Sequence, residues 1–406
     1  VKRLKRPDYL DWLIRQKDKQ IIKVVTGVRR CGKSTLFDIY RDYLLEHGIR
    51  PEQIISINFE DLEFEELTDY RSLYRYVKER LCPDRMNYIF LDEIQHVESY
   101  QKAVDSLFLR ENCDVYITGS NACFMSGELA TLLTGRYAEL SMMPLSFSEF
   151  CEGLDDNRKA MALTDKFTLY IDTGSFPYVL KYRYGASEAK EYMEGIYHTI
   201  LLNDIVRRLN IADVNMLEAV AKYLMHNIGN RTTPTAIANT MVSKQRKIDS
   251  KTVDRYLRGL TDSLLMYEAR RYNIKGKEFL STVNKYYVCD VAMRNMLVRG
   301  RDTDIGHILE NIVYLELRRR GYEVYVGQLG ADCEVDFVAM KNGELSYYQV
   351  TQTALDDRML QRELAPLQKI QDNHPKYLLT LDELFGDMNY EGIKKKNILK
   401  WLLKLQ

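Results

Sequence analysis

The densest chemistry in the chain lies at Gly27-Val28-Arg29-Arg30-Cys31-Gly32-Lys33-Ser34, with Thr35 next. Two glycines five residues apart let the backbone turn its N–H groups toward phosphate oxygens, and a helix starting at Lys33 adds the positive end of its dipole. Lys33 is then placed for the β- and γ-phosphates, Ser34 for Mg²⁺, and Thr35 for the α-phosphate side of the first turn. This is a site for a nucleoside triphosphate, taken as ATP with Mg²⁺. Some 60 residues on, the apolar run Tyr88-Ile89-Phe90-Leu91 ends in Asp92-Glu93. Asp92 can hold the metal through water, and Glu93 can orient and polarise an attacking water. The next apolar run, VYIT, ends in Gly119-Ser120-Asn121, where either polar side chain can reach a γ-phosphate or the water. Arg136, in Thr134-Gly135-Arg136-Tyr137, can stabilise transition-state charge in cis or, in a homo-oligomer, on a neighbouring subunit. Bland readings stand beside these: a strand-ending acid, an ordinary turn, a surface arginine.

Such residues need a scaffold that gathers strand ends. The runs IIKVVT, IISINF, YIFLDE and VYITGS are strand-like and separated by amphipathic stretches. That alternation predicts an α/β fold, a parallel sheet with helices on both faces. Residues 151–212 read as a helical connection. In 213–300, Thr235–Met241 and a segment from about Ser250 to Tyr267 read as helices, and YYVCDVA reads as a strand, suggesting helix-turn-helix plus wing. Residues 301–406 read as a helix (Ile308–Arg320), the strands YEVYV, EVDFVAM and SYYQVTQ, a helix from about Asp356, and the strand KYLLTL. The expected domains are therefore 1–150, 151–212, 213–300 and 301–406. Asn342-Gly343 predicts a type I′ hairpin between the second and third of these strands.

Composition narrows the class. Of 406 residues 46% are apolar and 29% charged, the balance of a folded globular chain. There are 58 basic and 58 acidic residues, which excludes a protein that is basic throughout. No apolar run spans a bilayer and no signal peptide is evident, so the expectation is a cytoplasmic protein without membrane partners. Cysteines 31, 82, 113, 123, 151, 289 and 333 form no CxxC pair, so neither a zinc site nor a disulfide framework is expected. Residues 201–300 hold 17 Lys and Arg against 9 Asp and Glu, a surplus of eight that the remainder balances. Lys244, Arg246, Lys247, Lys251, Arg255 and Arg258 flank the second helix there, which makes DNA a candidate partner. Tyr9 and Leu10 are candidates to pack near a base.

With these residues in view, the chain resembles the bacterial and archaeal AAA-type P-loop ATPases that carry a C-terminal domain of unknown function. The resemblance rests on TGVRRCGKSTL (26–36), FLDEIQ (90–95), ITGSNA (117–122), GRYAELSMMPLSFSEF (135–150), EVDFVA and YLLTLDEL. It implies an ATPase core, a winged-helix segment and a restriction-endonuclease-like C-terminal fold. In such a fold Glu310, Asp336 and Gln349 match the metal-holding positions, but Thr351 stands where a lysine is expected, so nuclease activity is not expected. The reading is an ATP-hydrolysing switch or motor; the alternative is a DNA-binding protein with ATP as a conformational ligand.

Overall fold

The computed structural model describes residues 3–122, 135–298, 305–330, 333–384 and 387–405. The chain forms two compact units, Val1–Pro144 with Asp262–Leu264, and Leu145–Thr261 with Leu265–Gln406.

The first unit is built on five strands: β1 (Ile22–Gly27), β2 (Ile54–Asn58), β3 (Asn87–Asp92), β4 (Cys113–Gly119) and β5 (Tyr137–Met142). All pair in parallel, in the order β2-β3-β4-β1-β5. Every residue of β1, β3 and β4 is buried. Central parallel strands need apolar side chains on both faces, which is why these runs read as nearly continuous hydrophobic stretches. α1 (Pro7–Gln16) precedes β1, and between the strands run α2 (Lys33–Glu46), α3 (Tyr70–Lys78) and α4 (Tyr100–Phe108). Strand alternation divides the packing. Ile22, Val24, Ile89, Leu91, Val115 and Ile117 pack with Leu73 and Val77 of α3 and Val104 and Leu107 of α4. On the opposite face Phe90 and Tyr116 meet Phe37 and Tyr40 of α2, with Phe37 edge-on to Phe90 at 5.2 Å between centroids. Tyr40 and Tyr116 share a hydroxyl hydrogen bond of 3.0 Å. This aromatic set clamps α2 to the sheet and so fixes the loop that precedes it. The expected α/β architecture is the observed one.

The second unit begins with helices between residues 147 and 207, the last stretch, Ile200–Arg207, wound as a π-helix. Then come α5 (Val214–His226), α6 (Pro234–Ser243), α7 (Ser250–Asp262), the hairpin β6 (Met266–Asn273) and β7 (Glu278–Val288), and α8 (Val291–Leu297). The expected second helix is therefore too long: Leu264 adopts a left-handed φ of 58°, and Met266 already belongs to a strand. YYVCDVA also divides, because Asp290 caps α8 through the amides of Ala292 and Met293. After α9 (Ile305–Arg319) follow β8 (Glu323–Gln328), β9 (Glu334–Lys341), β10 (Glu344–Val350), α10 (Asp357–Gln368), β11 (Lys376–Thr380), β12 (Met388–Tyr390), β13 (Ile393–Asn397) and α11 (Ile398–Leu402). Asn342 and Gly343 take φ of 52° and 83° between β9 and β10, the left-handed pair that a type I′ turn requires. The eight strands form one sheet, β12-β13-β11-β10-β9-β8-β6-β7. The hairpin β6–β7 thus continues the C-terminal sheet through β8, and a boundary at residue 300 falls between strands of one sheet. Among the described residues no helix is long and apolar enough to cross a membrane.

Candidate nucleotide site

The loop from Gly27 to Lys33 leaves the C-terminal end of β1 and enters α2. A Cβ on Gly27 would stand 2.3 Å from the Met142 carbonyl oxygen, so only glycine lets β1 and β5 approach there. Arg30 and Gly32 take positive φ, 70° and 105°, which curls the loop. No side chain caps α2, so its first N–H groups and its dipole are left for an anion. Val28 and Cys31 are buried, while Arg30, Ser34 and Thr35 are exposed. Arg29 pairs with Glu60 at 2.6 Å.

Lys33 and Glu93 are joined. The Lys33 ammonium donates to the Gly27 carbonyl at 3.0 Å and lies 3.1 Å from a Glu93 oxygen, both side chains buried. Burial opposes the charge on each, but the partner outweighs it: the pKa of Lys33 is raised and that of Glu93 lowered. Asp92, at the end of β3, behaves differently. Burial pushes its pKa up, and the hydroxyls of Ser34 and Thr118 only partly offset this. Thr118 Oγ1 donates to Asp92 Oδ1 at 2.5 Å and accepts from the Glu93 amide at 2.8 Å. That bridge holds Glu93 at a left-handed φ of 55°, a conformation with a cost that its surroundings must offset.

Ser120 is buried and accepts from Gln95 Nε2 at 3.3 Å, while the same amide also donates to Glu93. Ser120 therefore reaches the acidic end of β3 through Gln95. Asn121 follows it, half-buried. Arg136 is a correction to the expected role in cis. It precedes β5 at the other end of the sheet, where its carbonyl accepts from Ile22 at the start of β1. Six residues of strand, roughly 16 Å, separate it from the loop, and its guanidinium pairs with Asp105 and covers the Phe108 ring. Thr134, quoted with it, lies outside the described residues.

Three participants escaped the sequence reading. Thr118 becomes visible only once the parallel register of β3 and β4 sets Leu91 against Ile117. Gln95, two residues past Glu93, looks like an ordinary loop residue, yet its Oε1 is buried without a partner. Arg6 is buried, donates to the Cys31 carbonyl at 3.1 Å and the Met143 carbonyl at 2.9 Å, and so braces the loop from beneath. It also covers the Tyr9 ring at 4.5 Å, and Tyr9 accepts from the Met143 amide; Leu10 is only half-buried.

The residues fit a triphosphate with a hard cation. A glycine cradle that a Cβ would fill, an uncapped helix start and a lysine suit phosphate. Two oxygen ligands, from Ser34 and Asp92, suit Mg²⁺, which completes its shell with water and phosphate. Among the described residues no cluster of three or more His, Cys, Asp or Glu is placed to hold a metal.

The C-terminal acids are arranged otherwise. Glu310 on α9 meets the Lys285 ammonium of β7 at 2.9 Å and accepts from the Tyr287 hydroxyl. Lys285 also holds Glu334 at 2.7 Å. Asp336 accepts from the Val350 amide at 2.8 Å, and Gln349 is spent on the Asp336 amide and on Glu363. Thr351 contacts the Thr353 carbonyl. Desolvation and the Glu310 charge push the pKa of Asp336 well up. The cation these acids use is Lys285, so the metal position implied by the resemblance does not fit.

Fold and site together define a P-loop protein of the AAA type. Residues 19–151 match the AAA domain family, and residues 164–304 match a domain of unknown function. The chain belongs to the AAA-type P-loop family that carries this domain of unknown function. An uncharacterized protein of Haemophilus influenzae is 37% identical over 402 residues, 99% of each chain. Another, of Methanocaldococcus jannaschii, is 30% identical over 312 residues, 74% of this chain and 67% of that one. Among solved structures, the Walker-type ATPase of Pyrococcus abyssi aligns with a TM-score of 0.52 at 16% identity, over 73% of this chain and 96% of that one, a likeness of fold.

Proposed function

We propose that the first unit binds ATP and hydrolyses it, so that the protein works as a nucleotide-driven switch. The Lys33–Glu93 pair beneath an uncapped helix start carries the reading. Phosphate oxygens compete for Lys33, which turns from Glu93 to the β- and γ-phosphates. Glu93 is then freed from the ammonium that lowers its pKa, which makes its carboxylate a better proton acceptor, and it can align the attacking water and take its proton. Gln95 and Ser120 stand beside Glu93 to hold that water. A bound Mg²⁺, with Ser34 and Asp92 as its protein ligands, would neutralise charge on the transferred phosphoryl group. Thr118 keeps Asp92 and Glu93 in register. Phosphate release by wild type and Glu93→Gln tests this: the variant should bind ATP and turn over about 10²- to 10⁴-fold more slowly. An unchanged rate would remove Glu93 as the base.

A second reading is favoured by one observation. The order α5, the isolated Thr232–Asn284 bridge, α6, α7 and the β6–β7 hairpin is that of a winged helix. Lys244, Arg246, Lys247, Lys251, Arg255 and Arg258 are all exposed on α7 and the turn before it. This face suits the phosphates of duplex DNA. Affinity should then fall steeply with salt; weak, salt-independent binding would exclude it.

A further inference from the structure

The second unit contains a cavity of about 820 Å³ between the start of α6, the later turns of α7 and the β6–β7 hairpin. Two polar atoms buried at this cavity have no partner, Thr232 Oγ1 and Asn284 Oδ1. Thr232 is only 6% exposed. The two residues form a mutually hydrogen-bonded antiparallel pair: the Thr232 amide donates to the Asn284 carbonyl at 2.9 Å, and the reverse bond is 3.2 Å. Side chains of such a pair leave the same face of the strands side by side. The Asn284 amide nitrogen is spent on Glu268 at 2.7 Å, so its oxygen is an acceptor waiting for an N–H or O–H. The Thr232 hydroxyl beside it can donate. Together they match the edge of a molecule that offers a donor next to an acceptor.

The rest of the cavity restricts that molecule further. Leu257, Leu280 and Phe279 give apolar surface, and the Phe279 ring is 57% exposed. Arg258 and Arg270 are exposed and paired with Asp254 at 2.7 Å and Glu268 at 3.7 Å. The N-terminal end of the ten-residue α6 borders the same space through Thr233 and Thr235; Thr233 Oγ1 caps it by accepting from the Ala236 amide and Pro234 has no N–H, so what it offers an anion is the positive end of its dipole. A donor-acceptor edge, flat apolar faces and an anionic group occur together in a nucleotide, and the volume lies in the range of small-molecule sites.

We propose that this cavity is a second nucleotide site, separate from the phosphate loop. The base edge lies on Asn284 Oδ1 and Thr232 Oγ1, a base face meets Phe279, and the phosphate meets Arg258, Arg270 and the start of α6. The nucleotide is either free or an unpaired unit of a single strand.

The test uses the full chain carrying Lys33→Ala, so that the phosphate loop contributes no binding. Calorimetric titration with each of the four ribonucleoside monophosphates, and with single-stranded tetranucleotides, should show one saturable site with a Kd below ~1 mM. Thr232→Val should weaken it about fivefold or more without lowering the thermal midpoint, since the hydroxyl has no protein partner to lose. Arg258→Ala should weaken it and flatten its salt dependence. A tetranucleotide that binds about tenfold tighter than every monophosphate identifies a strand as the source; equal affinities identify the free nucleotide. No saturation by any of these probes at about 5 mM, or binding that both substitutions leave unchanged, overturns the proposal.

Discussion

Lys33 and Lys285 are both buried and both hold a glutamate, Glu93 at 3.1 Å and Glu310 at 2.9 Å. Their surroundings separate them. Lys33 has one carboxylate and one backbone carbonyl, and it opens a helix whose next residues, Ser34 and Thr35, are exposed. Lys285 has two carboxylates, and Glu310 also takes the Tyr287 hydroxyl. The first pair can exchange partners when an anion arrives at the helix start. The second is closed, since every acid near it already has a donor. Similar residue types thus give an open pair or a closed one according to whether an uncompensated donor set lies next to them. The energetic reason is that removing one member of a buried ion pair leaves the other charge stranded, whereas replacing it by a better-placed charge does not.

The largest expected effect falls on the exchangeable pair. Lys33→Ala should lower kcat/KM for ATP by about 10³-fold or more, because the lysine faces the charge that develops in phosphoryl transfer; steady-state phosphate release measures it. On the closed pair the effect should be on stability. Lys285→Met should cost about 3–5 kcal/mol, because buried Glu310 loses its ammonium while Glu334 keeps only Arg231. The sign of its pH dependence follows from Glu310. In the wild type burial raises the pKa of Glu310 but Lys285 outweighs it, so the net shift is downward. That contribution is present above the ordinary value of 4.5 and lost as pH falls further. Without the ammonium the shift reverses, and the variant should be least stable at neutral pH and regain stability toward about pH 5. Urea unfolding at the two pH values reads this directly; a loss equal at both would mean that packing, not charge, is what Lys285 supplies.

Smaller effects sharpen the contrast. Thr118→Val removes the donor to Asp92 and the acceptor for the Glu93 amide, and should slow hydrolysis about tenfold while leaving the fold intact by circular dichroism. Arg136→Ala should change hydrolysis less than about twofold and stability by about 0–1 kcal/mol, because its pair with Asp105 is partly exposed. A large loss of hydrolysis in this variant would bring the arginine back into the site, on a neighbouring copy.

What the sequence discloses follows the range of the interactions. The phosphate loop is contiguous, so Gly27 to Thr35 read directly, and Asp92 follows from an apolar run that must end at the edge of a parallel sheet. Thr118, Arg6 and Lys285 depend on pairing across 25 residues or more, and periodicity is silent about register. Arg136 departs from the expected role in cis because a short motif does not say at which end of the sheet it falls. The length of α7 was misread because Leu264, Leu265 and Met266 continue the apolar pattern past the turn. The hairpin β6–β7 looks local in sequence, yet it pairs with β8 some 50 residues on.

Binding of Mn²⁺, followed by electron paramagnetic resonance in the presence of a non-hydrolysable ATP analogue, tests the contrast most directly. The account predicts one firmly held ion per chain, lost in Asp92→Asn and unaffected in Asp336→Asn. A second ion that Asp336→Asn removes would contradict it, because the C-terminal acids would then be a metal site and not a cluster already neutralised by Lys285.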